Sequence, residues 1–125
     1  MPETNLQIYL LSDLYQILSA PRRCYVIRLI VNDNQDKYTV RELSKRIAAI
    51  EQGIPKENAT GESYRNVYNA LSQTHLQTMA DFDIIDYDQN RQLVRPKQRL
   101  RIAELIIKCN HIIYFTLREI ISNKD

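Results

Sequence analysis

Glycine is the residue this chain largely lacks. Only Gly53 and Gly61 occur in 125 residues, against an average usage of about 7%. Glycine supplies the positive φ angles of tight turns and lets backbone approach a ligand closely. With two, the chain has little means of building a glycine-rich phosphate cradle, whether a P-loop or a dinucleotide fingerprint. It is also short of the turns that a hairpin-rich sandwich needs. A mainly helical fold is the class that remains. A length of 125 residues suits one domain with an appended helix. Charged residues make up 26% and hydrophobic residues 44%, which is globular rather than disordered usage.

Seventeen Lys and Arg against fifteen Asp and Glu leave a net charge of +2. That permits nucleic-acid binding by a local patch without requiring it. It argues against the strongly acidic surfaces of a salt-accumulating cytoplasm. Cys24 and Cys109 are too few for a disulfide framework, so a reducing cytoplasm is the expected compartment. No signal peptide is visible at the start. The most apolar stretch, Leu105 to Leu117, is interrupted by Lys108, Asn110 and His111, and no membrane partner is expected.

Apolar spacing predicts a helix over 5–19, through Ile8, Leu11, Leu14, Tyr15 and Leu18. Pro21 suits the first turn of a second helix, 22–31, with Tyr25, Val26, Leu29 and Ile30 on one side. A polar turn, 32–36, leads to a short strand at 38–40. Thr39 and Glu42 have capping-box spacing, and the helix they open is expected to bury Leu43, Ile47 and Ile50 and to end at Gly53. After a loop at 53–61, a helix over 62–80 carries an apolar stripe of Tyr64, Val67, Tyr68, Leu71, Leu76 and Met79. Strands at 82–87 and 92–95 flank a hairpin loop, Asp88 to Arg91. A last helix runs from 97 to 121. The expected fold class is therefore mainly α with a small antiparallel β-wing. It comprises a winged helix-turn-helix domain at 1–95 and a long C-terminal dimerisation helix at 96–125. The strand at 38–40 is expected to complete a three-stranded sheet with the hairpin.

Four stretches carry a resemblance. They are Arg22-Arg23-x-Tyr25-Val26-Ile27-Arg28-x-Ile30, Val40-Arg41-Glu42-Leu43-x-x-x-Ile47-Ala48-x-x-Glu51, Arg65-x-Val67-Tyr68-x-x-Leu71 with Thr74-His75-Leu76, and Ile84-Ile85-Asp86-Tyr87-Asp88. Over roughly 5–95 the chain resembles a family of small archaeal winged-helix domains of poorly defined function. The resemblance implies, by fold, a DNA-binding regulator. Gln77 stands where that family usually has Pro, and Asp83 where it has Gly. The consequence expected is an altered helix end and an altered start to the wing. The family's overall acidity is missing too, and the last helix lies outside the resemblance.

In a helix-turn-helix protein the second helix lies in the major groove, where Asn, Gln and Arg read base edges. The base-reading candidates are Ser63, Arg65, Asn66, Asn69 and Gln73. A solvated polar face, which every amphipathic helix has, is the plain alternative. Phosphate contacts fall to Arg41, Lys45 and Arg46 on the first helix of the motif and to Arg91 and Arg95 at the wing. Against this stand four carboxylates. Strand alternation puts Asp81 and Asp83 on one face of the first wing strand and Asp86 and Asp88 on the other, so neither face is free of them.

The helix at 97–121 is longer than a small domain needs. Ile106, Ile113 and Ile120 recur at sevens, with either Cys109 and Thr116 or Asn110 and Leu117 between them. Leu105, Ile106, Cys109, Ile112, Ile113, Leu117 and Ile120 are the dimerisation candidates. Leu10, Leu11 and Leu14 of the first helix could instead bury this surface within one chain.

Cys24, His75, Cys109 and His111 show no zinc-ligand spacing, and no metal or other cofactor is expected. His75 fits a core or interface position better. No nucleophile elbow, zincin motif or paired acid motif occurs, so catalysis is not expected. The expected function is a homodimeric, sequence-specific reader of double-stranded DNA that regulates transcription. Its effector, if any, leaves no signature. The alternative is a winged-helix module that binds another protein and not DNA.

Overall fold

The helices are bounded by one side-chain cap, one proline and both glycines. The computed structural model describes residues 3–123. Positions 1, 2, 124 and 125, at the outer ends of the two expected units, lie outside the described residues. Helix α1 (Glu3–Leu18) stops at Ser19-Ala20, and Pro21 opens α2 (Pro21–Asp33), where its missing N–H costs nothing. Asn34 ends α2 in the left-handed region (φ 53°), its N–H bonded to Ile30 O. Asn tolerates that conformation better than most residues.

After strand β1 (Tyr38–Thr39), Thr39 turns the chain into α3 (Val40–Gln52). Its hydroxyl accepts from the Glu42 N–H at 3.0 Å, one half of the capping box that the spacing predicts; the Glu42 carboxylate pairs with Lys56 instead, at 2.6 Å. Gly53, at φ 65°, ends α3. Leu43 and Ile47 are fully buried, but Ile50, expected beside them, is 46% exposed. Ala48, Ala49 and the half-buried Ile54 fill the core at that end of α3.

A single 3₁₀ turn (Lys56–Asn58) lies in the loop before α4 (Glu62–Ala70). Helix α4 continues through a π-helical turn (Leu71–His75) into α5 (Leu76–Asp81) with right-handed helical dihedrals at every junction. The sequence predicts one helix over 62–80, and the chain is helical throughout it. The π turn within it carries no signal in composition or spacing.

The strand expected at 82–87 starts later. Ile84 N–H bonds Met79 O (3.2 Å) and Asp83 N–H bonds Ala80 O (3.0 Å) around Asp83 at φ 59°. These are the two bonds of a Schellman helix end. Asp81 therefore closes α5 and Asp83 sits in the turn. Only Asp86 and Asp88 stand on β2 (Ile85–Asp88), which corrects the placement of carboxylates on both its faces.

β2, β3 (Leu93–Pro96) and β1 make an antiparallel sheet in the order β1-β3-β2, the pairing expected for the strand at 38–40. Val94 lies opposite both Tyr38 and Tyr87, and Asp86 lies opposite Arg95. Alternation then sends Tyr38, Ile85, Tyr87 and Val94 to the inner face and Asp86, Asp88, Leu93 and Arg95 to the outer one.

Helix α6 (Leu100–Ser122) begins three residues later than expected. Lys97 N–H bonds Ile84 O (3.1 Å) and Arg99 N–H bonds Asp83 O (3.2 Å), so residues 97–99 are spent as a turn against the α5 end. The first turns of α6 pack on α2 through Leu100 and Ala103, with Ile106 and Ile107 half-buried. From Lys108 to Asn123 every residue is exposed.

Candidate nucleic-acid interface

Helix α4 lies against α3 and buries Val67, with Tyr64 and Tyr68 half-buried beside it. That leaves Arg65, Asn66 and Asn69 on its exposed side. At 1.5 Å rise they span about 6 Å of helix axis. Gln73 is exposed as well, but it lies inside the π turn. The extra residue of such a turn rotates the next helical residues away from the direction a regular helix gives them. Ser63 is half-buried and its hydroxyl donates to Thr60 O at 3.4 Å, so it serves the helix start.

The expected phosphate-binding cations divide by their partners. Arg46 is paired with Asp33 of α2. Arg91, at the hairpin tip, lies 3.9 Å from Asp88 and is 77% exposed. Arg41 is exposed, Lys45 is half-buried and Arg95 is exposed; among the described residues none of the three makes a salt bridge, nor does Arg65. Arg41 lies close enough to Tyr64 to oppose the rise that burial imposes on the Tyr64 phenol. It is the second residue of α3, the helix that packs along α4. Asp86 and Asp88 face solvent on the outer sheet face, the same side as Arg95.

A polar chain that sequence reasoning missed ties the hairpin to the helix. Leu76 N–H bonds five residues back, to Leu71 O. In an α-helix it would have served the Ser72 carbonyl. Tyr87 Oη donates to that carbonyl instead, at 3.3 Å. Gln92 Nε2 donates to Tyr87 Oη (3.0 Å) and to Gln89 O (2.8 Å), while Tyr68 Oη donates to Gln92 Oε1 (3.1 Å). Burial raises the Tyr87 phenol above its ordinary pKa, with the Gln92 hydrogen bond opposing. Gln92 itself has φ 54°. Asp88 Oδ1 completes the hairpin by accepting from the N–H groups of Asn90 and Arg91, both at 3.1 Å.

The π turn is held from its other side as well. His75 Nδ1 accepts from Arg23 Nε of α2 at 3.1 Å. Burial, then the charges of Arg23 and Arg22, hold this imidazole below its ordinary pKa. It is the part-buried, packed histidine that the sequence indicates.

Residues 15–95 match a family described as a domain of unknown function (DUF7344). The chain belongs to this family. The match runs from Tyr15 near the end of α1 to Arg95 in β3, starting ten residues later than the resemblance drawn from the sequence. No curated protein and no solved structure matches the chain.

The DUF7344 region excludes α6 and most of α1, the helices with most of the exposed apolar surface. In α6, Leu105, Cys109, Ile112, Ile113, Leu117 and Ile120 are exposed and Ile106 is half-buried. In α1, Leu14 is buried and Leu10 half-buried, but Leu11 is exposed. Burial of α6 by its own chain ends at Ile107. Among the described residues no cluster of three or more His, Cys, Asp and Glu could hold a metal ion. Among them, too, no helix is long and apolar enough to cross a membrane.

Proposed function

We propose that the chain is a homodimeric winged helix-turn-helix protein that reads double-stranded DNA and regulates transcription. In this reading α3 and α4 are the two helices of the motif, the β2–β3 hairpin is the wing, and α6 joins two copies. Archaeal origin and action in the cytoplasm belong to the same reading; catalysis does not. The observation that carries it is the exposed edge of α4. Arg65, Asn66 and Asn69 stand there in solvent, with no ion pair on Arg65 among the described residues and with Arg41 in the first turn of α3. Arg and Asn are the side chains that make bidentate contacts to guanine and adenine. Arg41, Lys45, Arg91 and Arg95 supply phosphate contacts around that edge. Arg46, neutralised by Asp33, supports packing of α3 on α2.

The polar chain through Gln92 gives the reading a geometry. It fixes the hairpin tip relative to α4, so that a phosphate contact at Arg91 sets the register of contacts at Arg65. The test is a pair of variants on a selected duplex. Arg65→Ala relaxes sequence preference, at about 1–3 kcal/mol for a lost bidentate contact. Arg91→Ala weakens binding to all sequences alike and lowers the salt slope by about 1. Equal loss on every sequence for Arg65→Ala removes the base-reading role.

A second reading, a protein-binding module, is favoured by Asp86 and Asp88 on the outer face of β2. These carboxylates repel phosphate and suit a basic partner. Steep salt dependence of duplex binding counts against it.

A further inference from the structure

We infer that α6 pairs with α6 of a second copy as a parallel two-stranded coiled coil, with Cys109 facing Cys109 of the partner. The inference rests on the dimeric reading above and gives that dimer its partner surface, direction and register.

The structure separates the two candidate seams. Asn110 lines a groove of about 320 Å³ with Tyr15, Leu18, Cys24, Ile106 and Ile107, so it faces the chain's own α1 and α2. Cys109 is exposed. At about 100° per residue it stands a quarter turn round from Asn110, with Ile106 between them, half-buried and lining the same groove. Ile102, 44% exposed, extends the outward row at the same spacing. The row is then Ile102, Ile106, Cys109, Ile113, Thr116 and Ile120, with steps of 4, 3, 4, 3 and 4. That is an unbroken heptad seam, with β-branched Ile at all three a positions, as in parallel dimers, and with Ile102, Cys109 and Thr116 at d in place of the Leu such dimers prefer.

Direction is set by the layers. A parallel pair stacks Ile106, Ile113 and Ile120 each on its own copy. An antiparallel pair sets each a residue against a d residue, so these isoleucines lose their matched layers to Cys109 and Thr116. Size points to a partner as well. Six large apolar side chains on the seam and its flanks, Ile102, Leu105, Ile112, Ile113, Leu117 and Ile120, are 44–64% exposed. At roughly 100 Å² each they leave on the order of 600 Å² in solvent, the upper end of what an ordinary monomer exposes in one patch and most of one side of a standard interface. The same helix carries Leu105 and Ile112 on one flank of the seam and Leu117 on the other, which widens the contact.

The full chain is treated with a short bismaleimide, and its mass in solution is recorded without DNA. Cys24 is half-buried with its thiol against Leu18 O, and burial raises its pKa, which leaves Cys109 the more reactive thiol. The expected result is a species of twice the chain mass, linked Cys109 to Cys109 by peptide mapping. Thr116→Cys adds a second symmetric link, and Arg118→Cys, on the opposite side of the helix, does not. Ile113→Asp, at an exposed position, cuts the Cys109 product tenfold or more while helicity is kept. A monomer at tens of micromolar overturns the inference, as does a dimer without the symmetric Cys109 link. A DNA-binding dimer without the link leaves the proposed function standing, whereas a linked dimer that selects no DNA leaves only the coiled coil.

Discussion

Gln92→Ala should destabilise the fold by about 2–3 kcal/mol, although its site lies at the edge of a surface hairpin. Gln92 makes three hydrogen bonds: one from Tyr68 Oη, one to Tyr87 Oη and one to Gln89 O. Each is worth about 1 kcal/mol net when partly buried. Alanine also keeps the cost of φ 54°, whereas glycine relieves it by about 1 kcal/mol. Gln92→Gly should therefore lose about 1–2 kcal/mol, and the two variants bracket the network. Urea unfolding followed by circular dichroism reads both, and a thermal melt should show a fall in Tm of about 10 °C for the alanine variant. Adding Tyr87→Phe to Gln92→Ala should cost less than the sum of the two single changes, since both act on one chain of bonds. An alanine variant within about 0.5 kcal/mol of the natural chain refutes the network, and so does one more stable than the glycine variant.

Backbone and charge set two more outcomes. Asp83→Gly should raise stability by a few tenths of a kcal/mol. The φ of 59° favours glycine by about 1 kcal/mol, partly offset by the exposed Asp83–Lys97 pair at 3.4 Å; a lowered urea midpoint contradicts it. The fold lowers the His75 pKa, so below a pH of about 6.5 the unfolded chain binds more protons than the folded one and stability falls as pH drops. Urea midpoints between pH 7.5 and 5.5 should show that slope. His75→Gln, which can still accept from Arg23, should flatten it.

Most of the scaffold was legible because its signals are local. Pro21, the Thr39–Glu42 cap and Gly53 each act within one turn of the helix they bound, and their geometry is as expected. The misplacements come from interactions that alternation cannot see. Ile84 and Ile85 are both buried, which no two-residue period allows, because a helix end and its left-handed Asp83 come before the strand. The start of α6 slipped from 97 to 100 because backbone bonds to Asp83 and Ile84 hold the intervening turn. Arg46, expected at a phosphate, is paired with Asp33 of another helix, a contact that sequence spacing does not show. The π turn and the Gln92 network had no sequence signal at all. The departure from glycine at Asp83 was the one visible cue to an altered helix end there.

The proposed function stands or falls on selection from random duplex DNA at two salt concentrations with the intact chain. A dimeric reader enriches a two-fold-symmetric site, with affinity falling steeply as salt rises. Absence of any enriched sequence, together with salt-insensitive binding, contradicts it.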